Sequence, residues 1–122
     1  MRAMDIIERV DLLEPNQYSP EQKLRWLSAL DGRVFREILS AGDKNASAPE
    51  PYQSGREELL IGFPYGEDIY YYYLQAMIAA ENSETQRYNK RMTMFNSALA
   101  DFEGWYIRTH EPISRGGARF RF

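Results

Sequence analysis

His110 is the only histidine in the sequence, and a general base or an imidazole metal ligand would have to start from it. It stands at the predicted end of a long helix, where an imidazole more simply meets terminal carbonyls and complements the helix dipole. The chain has no cysteine, which excludes disulfides and thiolate metal sites and fits a reducing compartment. A zinc site would therefore need mostly carboxylates, and no pair of ligands on one helical face is completed by a third. The carboxylate pairs Glu57-Glu58, Glu67-Asp68 and Asp101/Glu103 carry no nucleophile pattern, and Glu67-Asp68 lies where negative charge favours a helix N-terminus. Glu81 falls on an apolar seam, where an acid faces a solvated gap or pairs with arginine. Gly62-Phe63-Pro64-Tyr65-Gly66 has neither the spacing nor the lysine of a phosphate-cradling loop. The expectation is a protein that is not an enzyme and uses no cofactor or metal.

Recognition chemistry is better represented. Arg115-Gly116-Gly117-Ala118-Arg119-Phe120-Arg121-Phe122 places three arginines and two phenylalanines where nothing local could bury them. Residues 1–107 carry 11 Lys/Arg against 17 Asp/Glu, a net of −6, and residues 108–122 carry 4 against 1, a net of +3. Arginine with interleaved phenylalanine resembles segments that bind single-stranded nucleic acid by charge and stacking. An acidic body repels phosphates, however, and an electrostatic footprint normally spreads over a face or a helix. Arg119 to Phe122 alternates with period two, as does a strand that joins another chain's sheet edge. A protein partner is the expected target, and sequence-specific nucleic acid is not. Tyr70, Tyr71, Tyr72 and Tyr73 cover almost a full helical turn, so the four rings cannot all face one core. Either Tyr70 and Tyr73 flank the core while the other two decorate the surface, or the group forms an intersubunit contact.

The elements that must position these groups read as helices. At 122 residues and 43% hydrophobic, the chain suits one domain with one core. Nine Tyr, six Phe and two Trp favour large contact surfaces, because these rings stay useful when half buried. No stretch approaches the roughly 18 to 20 apolar residues of a membrane span, and the charged start does not read as a signal peptide. Met4, Ile7, Val10 and Leu13 predict a first helix that stops at Pro15-Asn16. Ser19-Pro20-Glu21-Gln22 predicts a second, with Ser19 as cap, Pro20 in the first turn and Gln22 closing a capping box. Its apolar face is Leu24, Leu27, Leu30, Val34 and Ile38, its end is Ala41-Gly42, and Gly32 marks a bend or a close contact. A loop over 43–63 follows, with Ala46 to Ser54 expected to order only on binding and Leu59 to Phe63 able to pair as a short strand. Leu74, Ile78, Glu81, Thr85, Tyr88, Met92, Phe95, Leu99, Phe102 and Tyr106 form a seam at steps of four and three, with a break expected at Asn82-Ser83, where Ser83 and Gln86 suggest another capping box. The helix ends before Pro112. The expected fold is all-α: a bundle of about four helices over 1–112 and an extended arm over 113–122.

Three segments carry a family resemblance: Asp5-Ile6-Ile7-Glu8-Arg9-Val10 with Pro15-Asn16-Gln17-Tyr18-Ser19; Lys23-Leu24-Arg25-Trp26-Leu27-Ser28-Ala29-Leu30-Asp31-Gly32; and Arg87-Tyr88-Asn89 through Met94-Phe95-Asn96 to Trp105-Tyr106-Ile107-Arg108-Thr109-His110. Together they resemble the head-tail connector, or adaptor, proteins of tailed bacteriophages. The resemblance implies a helical virion protein made in the host cytoplasm, placed in the neck, and assembled as a ring of twelve beneath the portal protein, beside other neck or tail-completion proteins. It also implies that the arm inserts into the portal, with Arg115, Arg119 and Arg121 on carboxylates and Phe120 and Phe122 in apolar pockets. This tail is richer in Arg and Phe than is ordinary for the family. The alternatives are a head-completion or tail-terminator subunit, or a small nucleic-acid-binding regulator.

Overall fold

The computed structural model describes residues 1–42 and 44–110. Helix α1 (Ala3–Leu13) buries Ala3, Ile6, Ile7 and Val10, which are spaced i, i+3, i+4 and i+7 along one stripe. Leu13, expected on that stripe, is 58% exposed, and Leu12 beside it is 82% exposed, because the stripe runs through Ile6 and Ile7 instead. A helix leaves its first amides without partners, and here the long loop supplies them. The Ala3 N–H donates to the Glu57 carbonyl at 3.0 Å, the Met4 N–H to the Gly55 carbonyl at 2.8 Å, and the Leu59 N–H to the Met1 carbonyl at 3.0 Å. Gly55 sits at φ +88°, and a Cβ there would lie 2.7 Å from the Met4 side chain, so only glycine fits this approach.

Helix α2 (Pro20–Val34) starts as its residues suggest: the Ser19 hydroxyl accepts the Gln22 N–H at 3.1 Å with Pro20 in the first turn. The Gln22 side chain does not complete the box but accepts from Arg25 at 2.7 Å. The rod continues through a π-helical turn (Phe35–Leu39) into α3 (Ser40–Gly42). The irregularity expected at Gly32 is therefore one turn later, and a Cβ at Gly32 would meet nothing closer than the end of Arg36 at 3.6 Å. Leu24, Leu27, Leu30, Val34 and Ile38 are buried as predicted. Lys23, 1% exposed, places its ammonium 2.6 Å from Asp11 and ties α2 to α1, since a buried cation is tolerated only when paired.

Helix α4 (Gly66–Glu81) and helix α5 (Thr85–His110) pack as an antiparallel pair. Tyr73 meets Phe95 at 5.2 Å between ring centroids and Tyr65 meets Phe102 at 5.9 Å, so later residues of one helix oppose earlier residues of the other. The break expected at Asn82-Ser83 is present, but its chemistry differs from a capping box. The Glu84 N–H reaches the Ala79 carbonyl at 2.9 Å and the Ser83 N–H reaches the Ala80 carbonyl at 3.1 Å, a Schellman ending with Ser83 at φ +59° where glycine is usual. Glu81 and Thr85 are consequently exposed, and the buried part of the seam is Leu74 and Ile78 on α4 and Phe95, Phe102 and Tyr106 on α5. Glu14, at the end of α1, pins this pair by accepting Arg91 at 2.8 Å. The bundle is all-α; among the described residues the only extended pairing is a single antiparallel bridge between Arg2 and Glu58.

Candidate functional site

Two regions concentrate unusual side chains, and the first lies under the loop. Asp31, 1% exposed on α2, accepts the Tyr70 hydroxyl from α4 at 2.7 Å and the Tyr52 hydroxyl from the loop. Each tyrosine oxygen in turn accepts a loop amide, Tyr52 from Leu60 at 3.0 Å and Tyr70 from Ile61 at 2.9 Å. Two consecutive backbone N–H groups thus hang, through two phenols, on one buried carboxylate. Burial pushes the Asp31 carboxyl up to about 6, against the hydrogen bonds from Tyr52, Tyr70 and the Leu60 backbone, which favour its charged form. The same burial, with the negative charge of Asp31, pushes the Tyr70 and Tyr52 phenols upward, so both stay protonated donors. The Tyr52 N–H also bonds the Ser28 hydroxyl at 2.9 Å.

Next to this network, Glu57 folds the loop on itself. Its carboxylate accepts the amides of Gln53 at 2.8 Å, Ser54 at 3.2 Å and Gly55 at 2.9 Å. The Gln53 amide foremost, followed by Glu57's own backbone amide, lowers the carboxyl to about 2. Leu59 and Ile61 are buried at 7% and 3% exposure. Residues 52–61 are therefore tied to the helices in the chain alone, which covers Tyr52 to Ser54 of the segment expected to order only on binding and leaves Ala46 to Pro51 without such contacts among the described residues.

The second region is the end of the α4–α5 pair near His110. Tyr65, Phe102 and Trp105 form a ring cluster with centroids 5.5 to 6.1 Å apart. His110 stacks on Tyr106 at 3.9 Å, with its Nδ1 3.1 Å from the Tyr106 carbonyl and 2.8 Å from the Thr109 hydroxyl. Phe63, two residues before Tyr65, is 96% exposed, and Trp105 and Ile107 are 37% and 48% exposed. This end carries a part-exposed aromatic cluster among the exposed polar residues Glu103, Arg108 and Thr109.

The sequence-predicted groups divide unevenly between these regions. Tyr70 and Tyr73, weighed for an intersubunit contact, are 0% and 9% exposed and belong to the core, so only Tyr71 and Tyr72 keep an outward edge. The Tyr71 ring lies 4.3 Å below the Arg9 guanidinium, which also pairs with Glu67. Glu58 pairs with the terminal amine at 3.1 Å, and Glu81, Asp101 and Glu103 are exposed on separate stretches of helix. The arm residues Arg115, Arg119, Phe120, Arg121 and Phe122 lie outside the described residues. Among the described residues no three acidic or histidine side chains gather to hold a metal ion, and no helix is long and apolar enough to cross a membrane. The Asp31 network was missed in the sequence; its signal was an acid three residues before Val34 on the buried Leu27–Leu30–Val34 stripe. Compared with known protein families, curated proteins and solved structures, the chain matches none of them.

Proposed function

We propose that this chain is a structural subunit of the tailed-phage neck, a head-tail connector that forms a ring beneath the portal protein and docks its C-terminal arm onto it. The observation that carries the reading is the part-exposed aromatic end. Trp105 is part-exposed in the Tyr65–Phe102–Trp105 cluster, Phe63 is exposed two residues before Tyr65, and His110, 6.1 Å from Trp105, precedes the arm in sequence. Exposed aromatics of this kind are enriched where proteins meet proteins. The body acts as a rigid base, with Tyr71 and Tyr72 offered to the next subunit, and the arm supplies arginines for carboxylates and phenylalanines for apolar pockets. No step of this role requires bond chemistry.

The test is co-sedimentation of the chain with purified portal rings from the same phage. Removing residues 113–122 is expected to leave the helical content unchanged and to weaken binding by about 1,000-fold, the scale of two anchor residues at about 2 kcal/mol each. Equal binding by the two forms would refute the arm. Loss of salt-sensitive binding to single-stranded DNA on the same deletion would instead favour the nucleic-acid regulator.

A further inference from the structure

We propose that residues 52–61 form a pH-responsive clasp, shut over α2 and α4 while Asp31 holds a proton and loosened when Asp31 ionises. The inference is independent of the neck role and rests on how the network is built. Asp31 is buried between Tyr70 of α4 and Tyr52 of a segment that has no helix or strand of its own, so opening that segment is a local motion that returns the carboxylate toward water. The groups facing it are neutral: Tyr52 from the loop, Tyr70 from α4 and the Leu60 backbone. Among the described residues no lysine or arginine forms an ion pair with it. Two phenolic donors offset only part of the loss of hydration, and the buried charge is left without a counter-charge.

The sign follows from where Asp31 prefers its proton. The closed form raises its carboxyl from 3.8 to about 6, so closure is favoured fully below about 3.8 and that advantage is lost as pH rises through about 6. Glu57, within the segment beside Glu58, acts in the opposite sense, supporting the loop above 4.5 and failing only as pH falls toward 2. Between pH 4.5 and 7.5 Glu57 stays ionised in the closed form, and of these two carboxylates Asp31 is the one that titrates. Opening pulls on named atoms: the Leu60 and Ile61 amides lose the tyrosine oxygens that shield them from exchange.

Amide hydrogen exchange on the full chain, corrected for the intrinsic pH dependence, tests the clasp. Opening measured at Leu60 and Ile61, relative to Leu74 inside α4, is expected to rise on the order of tenfold from pH 4.5 to 7.5, as a closed-state carboxyl near 6 requires. In Asp31→Asn the rise should disappear. If that variant does not fold, Tyr52→Phe serves, read at Ile61 alone because Leu60 loses its own acceptor, and losing a donor to the carboxylate should move the midpoint to higher pH. Opening that stays level across this range, or that grows toward acid, would overturn the proposal.

Discussion

Replacing Gly66 with alanine is expected to destabilise the fold by about 3 kcal/mol or more, at the upper end of what overpacking costs. A Cβ at this position would stand 2.0 Å from the Ile61 carbonyl oxygen and 2.9 Å from its carbon, both main-chain atoms that cannot turn aside. The Gly66 N–H is already committed to the Gly62 carbonyl at 2.9 Å, so the loop crosses the start of α4 at a fixed distance. Moving Ile61 away would pull its amide from Tyr70 and disturb Asp31 beneath. The better helix propensity of alanine recovers at most about 1 kcal/mol, so the clash wins. Urea unfolding should show the midpoint fall by more than about 1 M. Gly62→Ala is the control, since a Cβ there meets nothing within 4 Å.

The second large effect is expected from Tyr70→Phe. It removes one oxygen and strands two groups: the Ile61 N–H loses its acceptor and the Asp31 carboxylate loses a donor. An orphaned buried amide costs about 1 to 3 kcal/mol and an under-bonded charge more, so a total of about 3 to 4 kcal/mol is expected at neutral pH. For a domain of this size that is a fall of very roughly 10 to 20 °C in melting temperature. Without the Tyr70 hydrogen bond Asp31 takes its proton at still higher pH, so the loss should be smaller at pH 4 than at pH 7. Calorimetry at both values checks the size and the sign. Tyr73→Phe, whose hydroxyl has no hydrogen bond among the described residues, should change little.

These two positions show where local pattern reading stops. Helix starts and stops depend on neighbours in the chain, so Ser19-Pro20, the stop near Pro15 and the break at Asn82-Ser83 were legible. The buried stripe of α2 was legible for the same reason, because Leu24 to Ile38 repeats at helical steps. The α4–α5 seam was legible as a pattern but not as a geometry. A continuous heptad run and a hairpin folded at Ser83 place the same residues inward, and only the left-handed backbone at Ser83 turns the second half back. Asp31, Tyr52 and Tyr70 are 21 and 39 residues apart, and nothing local marks them as partners. Tyr70 therefore read as one ring in an aromatic run with surface options, when its hydroxyl had a buried carboxylate to satisfy. The loop misled in its second part for a related reason: its prolines and glycines suggested an unformed segment, yet the amides of residues 53–55 are held by Glu57 and the carbonyls of Gly55 and Glu57 by the first amides of α1.

The proposed neck role rests on the aromatic end and the arm that follows it in sequence, and it predicts a definite place for the chain in a particle. On the proposed reading, tailed-phage particles assembled with the labelled polypeptide and imaged by cryo-electron microscopy should carry a ring of it immediately below the portal, with the arm reaching into portal density. Particles with complete necks that lack the label there, or a ring whose final ten residues touch nothing, would contradict the account.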